Sequence, residues 1–174
     1  NVTTVSTLGK YLRTGMPLVT KRLTVEGDAV AKPANVEAII GTPLRHILDF
    51  CGTKAEPAKV ITGGPMMGTA QLSLDFPVLK QNNGLLVLSE KAAHLPAVQP
   101  CIRCGRCISA CPMGLSPVEI AGAYTRGTVE ALDAMMVDLC MACGTCSFVC
   151  PAKRPVAQTM ALAKDTLKRK GGKK

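Results

Sequence analysis

Two short windows of the chain share one pattern of cysteines. The first reads Cys101-Ile102-Arg103-Cys104-Gly105-Arg106-Cys107-Ile108-Ser109-Ala110-Cys111-Pro112, and the second reads Cys140-Met141-Ala142-Cys143-Gly144-Thr145-Cys146-Ser147-Phe148-Val149-Cys150-Pro151. Both follow C-x2-C-x2-C-x3-C-P, and together they hold eight of the nine cysteines. Zinc sites and disulfide frameworks also use clustered cysteines, but zinc sites usually show two C-x2-C pairs. The spacing therefore predicts iron–sulfur clusters, and a reducing compartment suits them.

The same spacing predicts which cysteines share a cluster. Three closely spaced thiolates can surround three corners of a cubane from one loop, and in two-cluster proteins the fourth ligand comes from the other motif. One [4Fe-4S] cluster is then assigned to Cys101, Cys104, Cys107 and Cys150. The other cluster is assigned to Cys140, Cys143, Cys146 and Cys111. Gly105 and Gly144 are expected to let the backbone approach the inorganic sulfur, with loop N–H groups directed at the sulfur atoms.

Composition limits the class of protein. A chain of 174 residues is long enough for one or two small domains, and no apolar run is long enough for a transmembrane helix. The chain starts at Asn1 and has no signal segment, which indicates a fragment or a processed product. Two clusters with four thiolates each would lower the net charge of +9 to roughly +5. The remaining positive charge lies mostly in a basic C-terminal tail, at Lys164, Lys168, Arg169, Lys170, Lys173 and Lys174.

Residues 1–93 predict a small α+β domain. A first helix is expected over residues 1–14, where Val5, Leu8 and Leu12 have helical spacing. A second helix is expected to have Thr42 as its cap and Pro43 as its first residue, with a buried Cys51 on its apolar face. His46 is expected on the surface of this helix, and His94 in the segment that follows the domain. Strands are predicted at residues 18–26, 29–31, 59–62 and 85–89, with a hairpin turn at Asn83-Gly84.

Gly63 to Gly68, which reads Gly-Gly-Pro-Met-Met-Gly, is the glycine-rich stretch of this first domain. A glycine-rich loop after a strand can hold a phosphate, but this one matches neither G-x-G-x-x-G nor G-K-[ST]. It therefore favours a tight packing loop over a nucleotide site.

The cysteine-rich region, residues 101–174, follows a linker at residues 94–100 and is predicted to be mainly helical. The 28 residues between the two motifs predict two helices. One starts at Ser116 and Pro117 and ends near Gly127, and the other spans 128–139. Met135 and Met136 are expected in the core. A last helix is predicted to begin at Pro155 and to run into the basic tail.

The combination of these features resembles the RnfC family, one of the subunit families of the Rnf ion-translocating electron transport complex. The resemblance rests on both cysteine motifs, the helical spacer, the segment Pro151-Ala152-Lys153-Arg154-Pro155 and the Gly63 to Gly68 loop. Residues 25–52 also resemble the soluble-ligand-binding β-grasp (SLBB) domain of that family, although Ala34 stands where glycine is expected. The resemblance implies an SLBB-type β-grasp domain followed by a dicluster ferredoxin-like domain.

The resemblance also implies a function. RnfC proteins are peripheral subunits at the cytoplasmic face of the bacterial membrane, with an upstream NADH- and FMN-binding region that nothing in this chain matches. The complex is a ferredoxin:NAD+ oxidoreductase coupled to Na+ or H+ translocation. This chain would relay electrons between ferredoxin or flavin partners and the other subunits. It has no catalytic acid, base or nucleophile in that scheme, no transmembrane segment and no nucleic-acid partner.

Two other functions fit the same sequence features. One is a flavin and iron–sulfur protein of the cobalamin-reductase type found with microcompartments, which shares this domain order. The other is a structural scaffold subunit, in which the β-grasp domain and the clusters only brace an interface.

Overall fold

The computed structural model describes residues 2–54 and 56–171, and the chain divides into two compact units between His94 and Leu95. The first unit combines one sheet with three helices. Its helices are α1 Val2–Thr14, α2 Leu44–Cys51 and α3 Glu90–Ala93. Its strands are β1 Thr20–Glu26, β2 Ala34–Ile39, β3 Lys59–Thr62, β4 Thr69–Ala70 and β5 Gly84–Leu88.

The sheet is mixed, with the strand order β2-β1-β5-β3-β4. β1 and β5 are parallel neighbours, and the other pairs are antiparallel. This topology corrects the prediction of a hairpin at Asn83-Gly84, because Gly84 starts a strand that pairs with β1 and β3. The predicted strand at residues 29–31 is also wrong, since Val30 forms an isolated bridge with Thr53 there.

The core of the first unit lies between the sheet and α2. Alternate residues of β1 and β5 are buried, as expected for strands with one covered face. Leu44, Ile47, Leu48 and Cys51 cover them from α2, which confirms the predicted apolar face and the buried thiol. The predicted cap is wrong by one position: within the described residues, Pro43 rather than Thr42 is the N-cap, and no side chain caps α2.

The second unit is helical, as predicted. Its elements are α4 Arg106–Ser109, α5 Pro117–Arg126, α6 Val129–Ala134, a 3₁₀ turn Val137–Leu139, α7 Thr145–Phe148 and α8 Val156–Gly171. Ile120, Leu132, Val137 and Met160 form the centre of its core. The helix predicted over 128–139 is wrong beyond Ala134, because Met136 adopts a left-handed conformation and is 56% exposed. Met135 packs partly buried against the core.

Together the two units confirm the predicted α+β class, a β-sheet domain followed by a helical cysteine-rich domain. The helix predicted over 1–14 is present as α1, but its side chains at Val5, Leu8 and Leu12 are exposed. His46 and His94 are exposed, as predicted. Among the described residues, none of the helices has the length and apolar character needed to cross a membrane. Lys173 and Lys174 of the basic tail lie outside those residues.

Candidate metal centre

The two cysteine motifs have the same backbone conformation. Each third cysteine lies in a single-turn helix, α4 or α7, that begins after a glycine with positive φ, Gly105 at 74° and Gly144 at 81°. A side chain at such a position would be strained, so glycine allows the sharp entry into the turn. Arg103 and Ala142 also adopt positive φ at corresponding positions, 54° and 55°. Conformations of this kind cluster at functional loops, and their repetition marks the two motifs as equivalent sites.

One cavity joins the second motif to the last cysteine of the first motif. Cys111 lines it together with Cys140, Cys143 and Cys146, which are the four residues predicted for one cluster. Leu115 and Met160 supply apolar walls. Burial raises the pKa of Cys146 to about 11, so a free thiol would stay protonated there. A bound metal centre would hold it as thiolate, because metal ligation requires deprotonated cysteine.

The first motif is more open to solvent. Cys101 and Cys104 are exposed, whereas Cys107 and Cys150 are half-buried. Cys104 and Cys150 line one surface cavity, again with one cysteine from each motif. Burial raises the pKa of Cys107, and the nearby Cys101 contributes to the rise. The structure therefore brings Cys104 to Cys150 and Cys101 to Cys107.

Hydrogen bonds to sulfur differ between the two motifs, and the sequence did not reveal them. Cys143 Sγ lies 3.3 Å from Thr145 Oγ1, and hydrogen bonds from the Thr145 side chain and backbone lower the pKa of Cys143. Cys107 instead has a hydrogen bond from the backbone N–H of Val118 at the start of α5, which opposes the effect of burial on its pKa. The N–H of Ala157, at the corresponding place in α8, donates to Ser147 Oγ at 2.8 Å.

The donor set fits iron–sulfur clusters. Thiolates are the ligands that such clusters use, and hydrogen-bond donors to sulfur are the groups that tune them. Among the described residues, no three His, Cys, Asp or Glu side chains converge as ligands of one metal ion would. A cubane does not need such convergence, because each of its four thiolates binds a different iron.

Comparisons with known proteins agree with this division of the chain. Residues 22–70 match the family model of the SLBB domain, and residues 97–154 match that of the 4Fe-4S dicluster domain. The chain is therefore an iron–sulfur protein that carries an SLBB domain in its first unit and a 4Fe-4S dicluster domain in its second.

Similar proteins are RnfC subunits of ion-translocating redox complexes. The chain is 42% identical over 122 residues to the RnfC subunit of the Na+-translocating ferredoxin:NAD+ oxidoreductase complex of Acetobacterium woodii. It is 43% identical over 118 residues to that of the proton-translocating ferredoxin:NAD+ oxidoreductase complex of Clostridium ljungdahlii. It is 38% identical over 131 residues to that of the ion-translocating oxidoreductase complex of Rhodobacter capsulatus.

These alignments cover 70%, 67% and 75% of the chain but only 28%, 26% and 25% of the relatives. The chain thus spans about a quarter of the length of the curated relatives it matches. It belongs to the RnfC family of the ion-translocating oxidoreductase complexes.

Proposed function

We propose that this chain relays electrons through two [4Fe-4S] clusters in the peripheral subunit of a ferredoxin:NAD+ oxidoreductase complex. The complex moves Na+ or H+ across the membrane, and the chain acts at its cytoplasmic face. The observation that carries the proposal is the shared cavity of Cys111 with Cys140, Cys143 and Cys146. A fourth thiolate from the other motif is what the two-cluster arrangement requires.

Each cluster draws its ligands from both motifs in this proposal. Cys101, Cys104, Cys107 and Cys150 hold the first cluster. Cys140, Cys143, Cys146 and Cys111 hold the second. Bound clusters supply one-electron redox chemistry. The crossed ligands join the two motifs into a single folding unit, so that loss of one cluster weakens the site of the other.

The surrounding residues hold the ligands in place and control solvent access. Leu115 and Met160 keep water away from the second site, where Cys146 is half-buried. Thr145 and Val118 provide hydrogen bonds to ligand sulfurs at the two sites. Lys164 Nζ donates to the Cys140 carbonyl oxygen at 2.6 Å and thereby ties α8 to the second motif. The NADH and FMN sites belong to a part of the RnfC subunit outside this chain.

Anaerobic purification followed by iron and acid-labile sulfide analysis tests the proposal. We expect about eight irons and eight sulfides per chain, from two cubanes. A redox titration should then show that both clusters accept an electron from dithionite or from reduced ferredoxin. Clusters that are present but cannot be reduced would support a bracing role instead, and protein without iron and sulfide would contradict the proposal.

A further inference from the structure

A basic surface lies beside the cysteines of the first motif. Arg106 and Lys153 line the same surface cavity as Cys104 and Cys150, and both cations are exposed. Each motif thus contributes one cation and one proposed cluster ligand to this cavity. We name it the Arg106–Lys153 surface.

The sequence leaves this surface without opposing charge nearby. Segments 95–118 and 139–164 contain no Asp or Glu, although they carry Arg103, Arg106, Lys153, Arg154 and Lys164. The ion pairs in the described part of the chain are formed by Arg22, Arg45 and Arg169, so none involves a cation of these two segments. The cations other than Lys164, which binds a backbone carbonyl, are exposed.

An aromatic side chain stands on the same surface. Phe148, at the end of α7, lines the cavity with Arg106 and Lys153 and is 74% exposed. Aromatic residues and arginine are enriched where proteins bind one another, whereas single exposed aliphatic residues are common on any surface. The combination of cations, an exposed phenylalanine and accessible cluster ligands indicates a binding surface for a redox protein.

We propose that the Arg106–Lys153 surface docks a small acidic electron-transfer protein, an inference that rests on the electron-relay function. Charge complementarity identifies the occupant, because a basic patch steers and orients an acidic partner. The exposure of Cys104 makes the first site accessible to such a partner. The second site does not offer this access, because its cysteines are half-buried and its cavity is walled by Leu115 and Met160.

The test measures binding of an acidic two-cluster bacterial ferredoxin, used as the probe, to the cluster-loaded chain. Isothermal titration at low and at physiological ionic strength compares the wild type with the charge-reversal variant R106E/K153E. The control R126E/K168E makes the same change of charge at two exposed cations of the same unit that do not line the cavity. We expect R106E/K153E to weaken binding by at least about tenfold and the control to change it by less than about threefold.

Two further results are expected. Wild-type affinity should fall as ionic strength rises, since salt screens exposed charges. F148A, which alters no charge, should weaken binding by about tenfold without changing the salt dependence. Equal weakening by R106E/K153E and its control, or no binding by the wild type, would overturn the docking proposal.

Three additional measurements separate the possible explanations. Iron content and EPR are recorded on every sample: reducible clusters without probe binding would overturn docking and leave the relay intact, whereas protein without clusters would end both proposals. If R106E/K153E shifts the cluster potentials but keeps the affinity, the cations serve only to offset the charge of the cluster, and docking is wrong. If the same variant loses binding to phosphatidylglycerol vesicles but not to ferredoxin, the surface is a membrane contact instead.

Discussion

The Sγ atom of Cys143 and the Oγ1 atom of Thr145 lie 3.3 Å apart in the second motif. The corresponding position in the first motif is Arg106, which cannot provide a hydroxyl. Hydrogen bonding by Thr145 is the main cause of the lowered pKa of Cys143, so it stabilises the thiolate over the thiol. The two sites therefore differ in a contact that sets the electron affinity of a cluster.

We predict that T145V lowers the reduction potential of the cluster held by Cys140, Cys143 and Cys146. A hydrogen bond to sulfur favours the more negative, reduced state, so its loss makes reduction harder. A difference of about 1 kcal/mol corresponds to about 40 mV for one electron. T145S keeps the hydroxyl and should retain the wild-type value. An EPR-monitored titration in which both variants match the wild type would show that Thr145 has no such role.

Lys164 supports the start of the second motif through its bond to the Cys140 carbonyl oxygen at 2.6 Å. The contact is partly buried, so loss of the ammonium leaves a carbonyl with reduced solvent access. We predict that K164M lowers the free energy of unfolding by about 1 kcal/mol, whereas K168M, at an exposed lysine of the same helix, changes it little. Chemical denaturation followed by cluster absorbance measures both. Equal stability of the two variants would argue against this anchoring role.

Leu44 lies in the core of the first unit and is 1% exposed, whereas Leu72 is 98% exposed. We predict that L44A destabilises this unit by about 3 kcal/mol, because it removes buried methyl groups and leaves a cavity. L72A makes the same chemical change on the surface and should cost less than about 0.5 kcal/mol. Urea denaturation followed by far-UV circular dichroism compares them. Similar losses would mean that α2 does not cover the sheet as described.

Asp28 connects the end of β1 to the end of β5. Its carboxylate accepts hydrogen bonds from the Ser89 hydroxyl and from the Ser89 N–H, the latter at 2.9 Å, and these bonds lower the pKa of Asp28. Because the folded-state pKa is below the unfolded value, this stabilisation is present at neutral pH. It is lost as the pH falls below about 4, where the folded-state carboxylate becomes protonated.

The expected consequence is a smaller acid-induced loss of stability in D28N than in the wild type. D49N, at another exposed acid of the same unit, should keep the wild-type pH dependence. Urea denaturation at about pH 3 and at about pH 6 compares the three proteins. If D28N loses as much stability on acidification as the wild type, the Asp28–Ser89 contact is not the source of the effect.

Local sequence patterns predicted the elements whose causes are local. The spacing of Leu44, Ile47, Leu48 and Cys51 predicted both α2 and its buried face. The strand β3 was found from its β-branched residues. Asn83-Gly84 misled because its turn propensity is local, whereas the pairing of β5 with β1 is set by contacts distant in sequence. The left-handed Met136 ended a helix that its periodicity would have continued.

The candidate site shows the same division. Cysteine spacing identified the eight candidate ligands, because thiolates at these intervals have a known chemical use. Thr145 and Val118 were missed, since a hydrogen bond to sulfur depends on how a loop and a helix end are placed in space. The one usable signal was the difference between Arg106 and Thr145 at corresponding positions of two otherwise similar motifs.

Low-temperature EPR of the reduced protein tests the crossed-ligand arrangement most directly. The wild type should show two magnetically coupled [4Fe-4S]+ signals. C150S should disturb the cluster held by Cys101, Cys104 and Cys107, and C111S should disturb the cluster held by Cys140, Cys143 and Cys146. If C150S instead altered the Cys140 cluster alone, each motif would hold its own cluster and the crossed arrangement would be wrong.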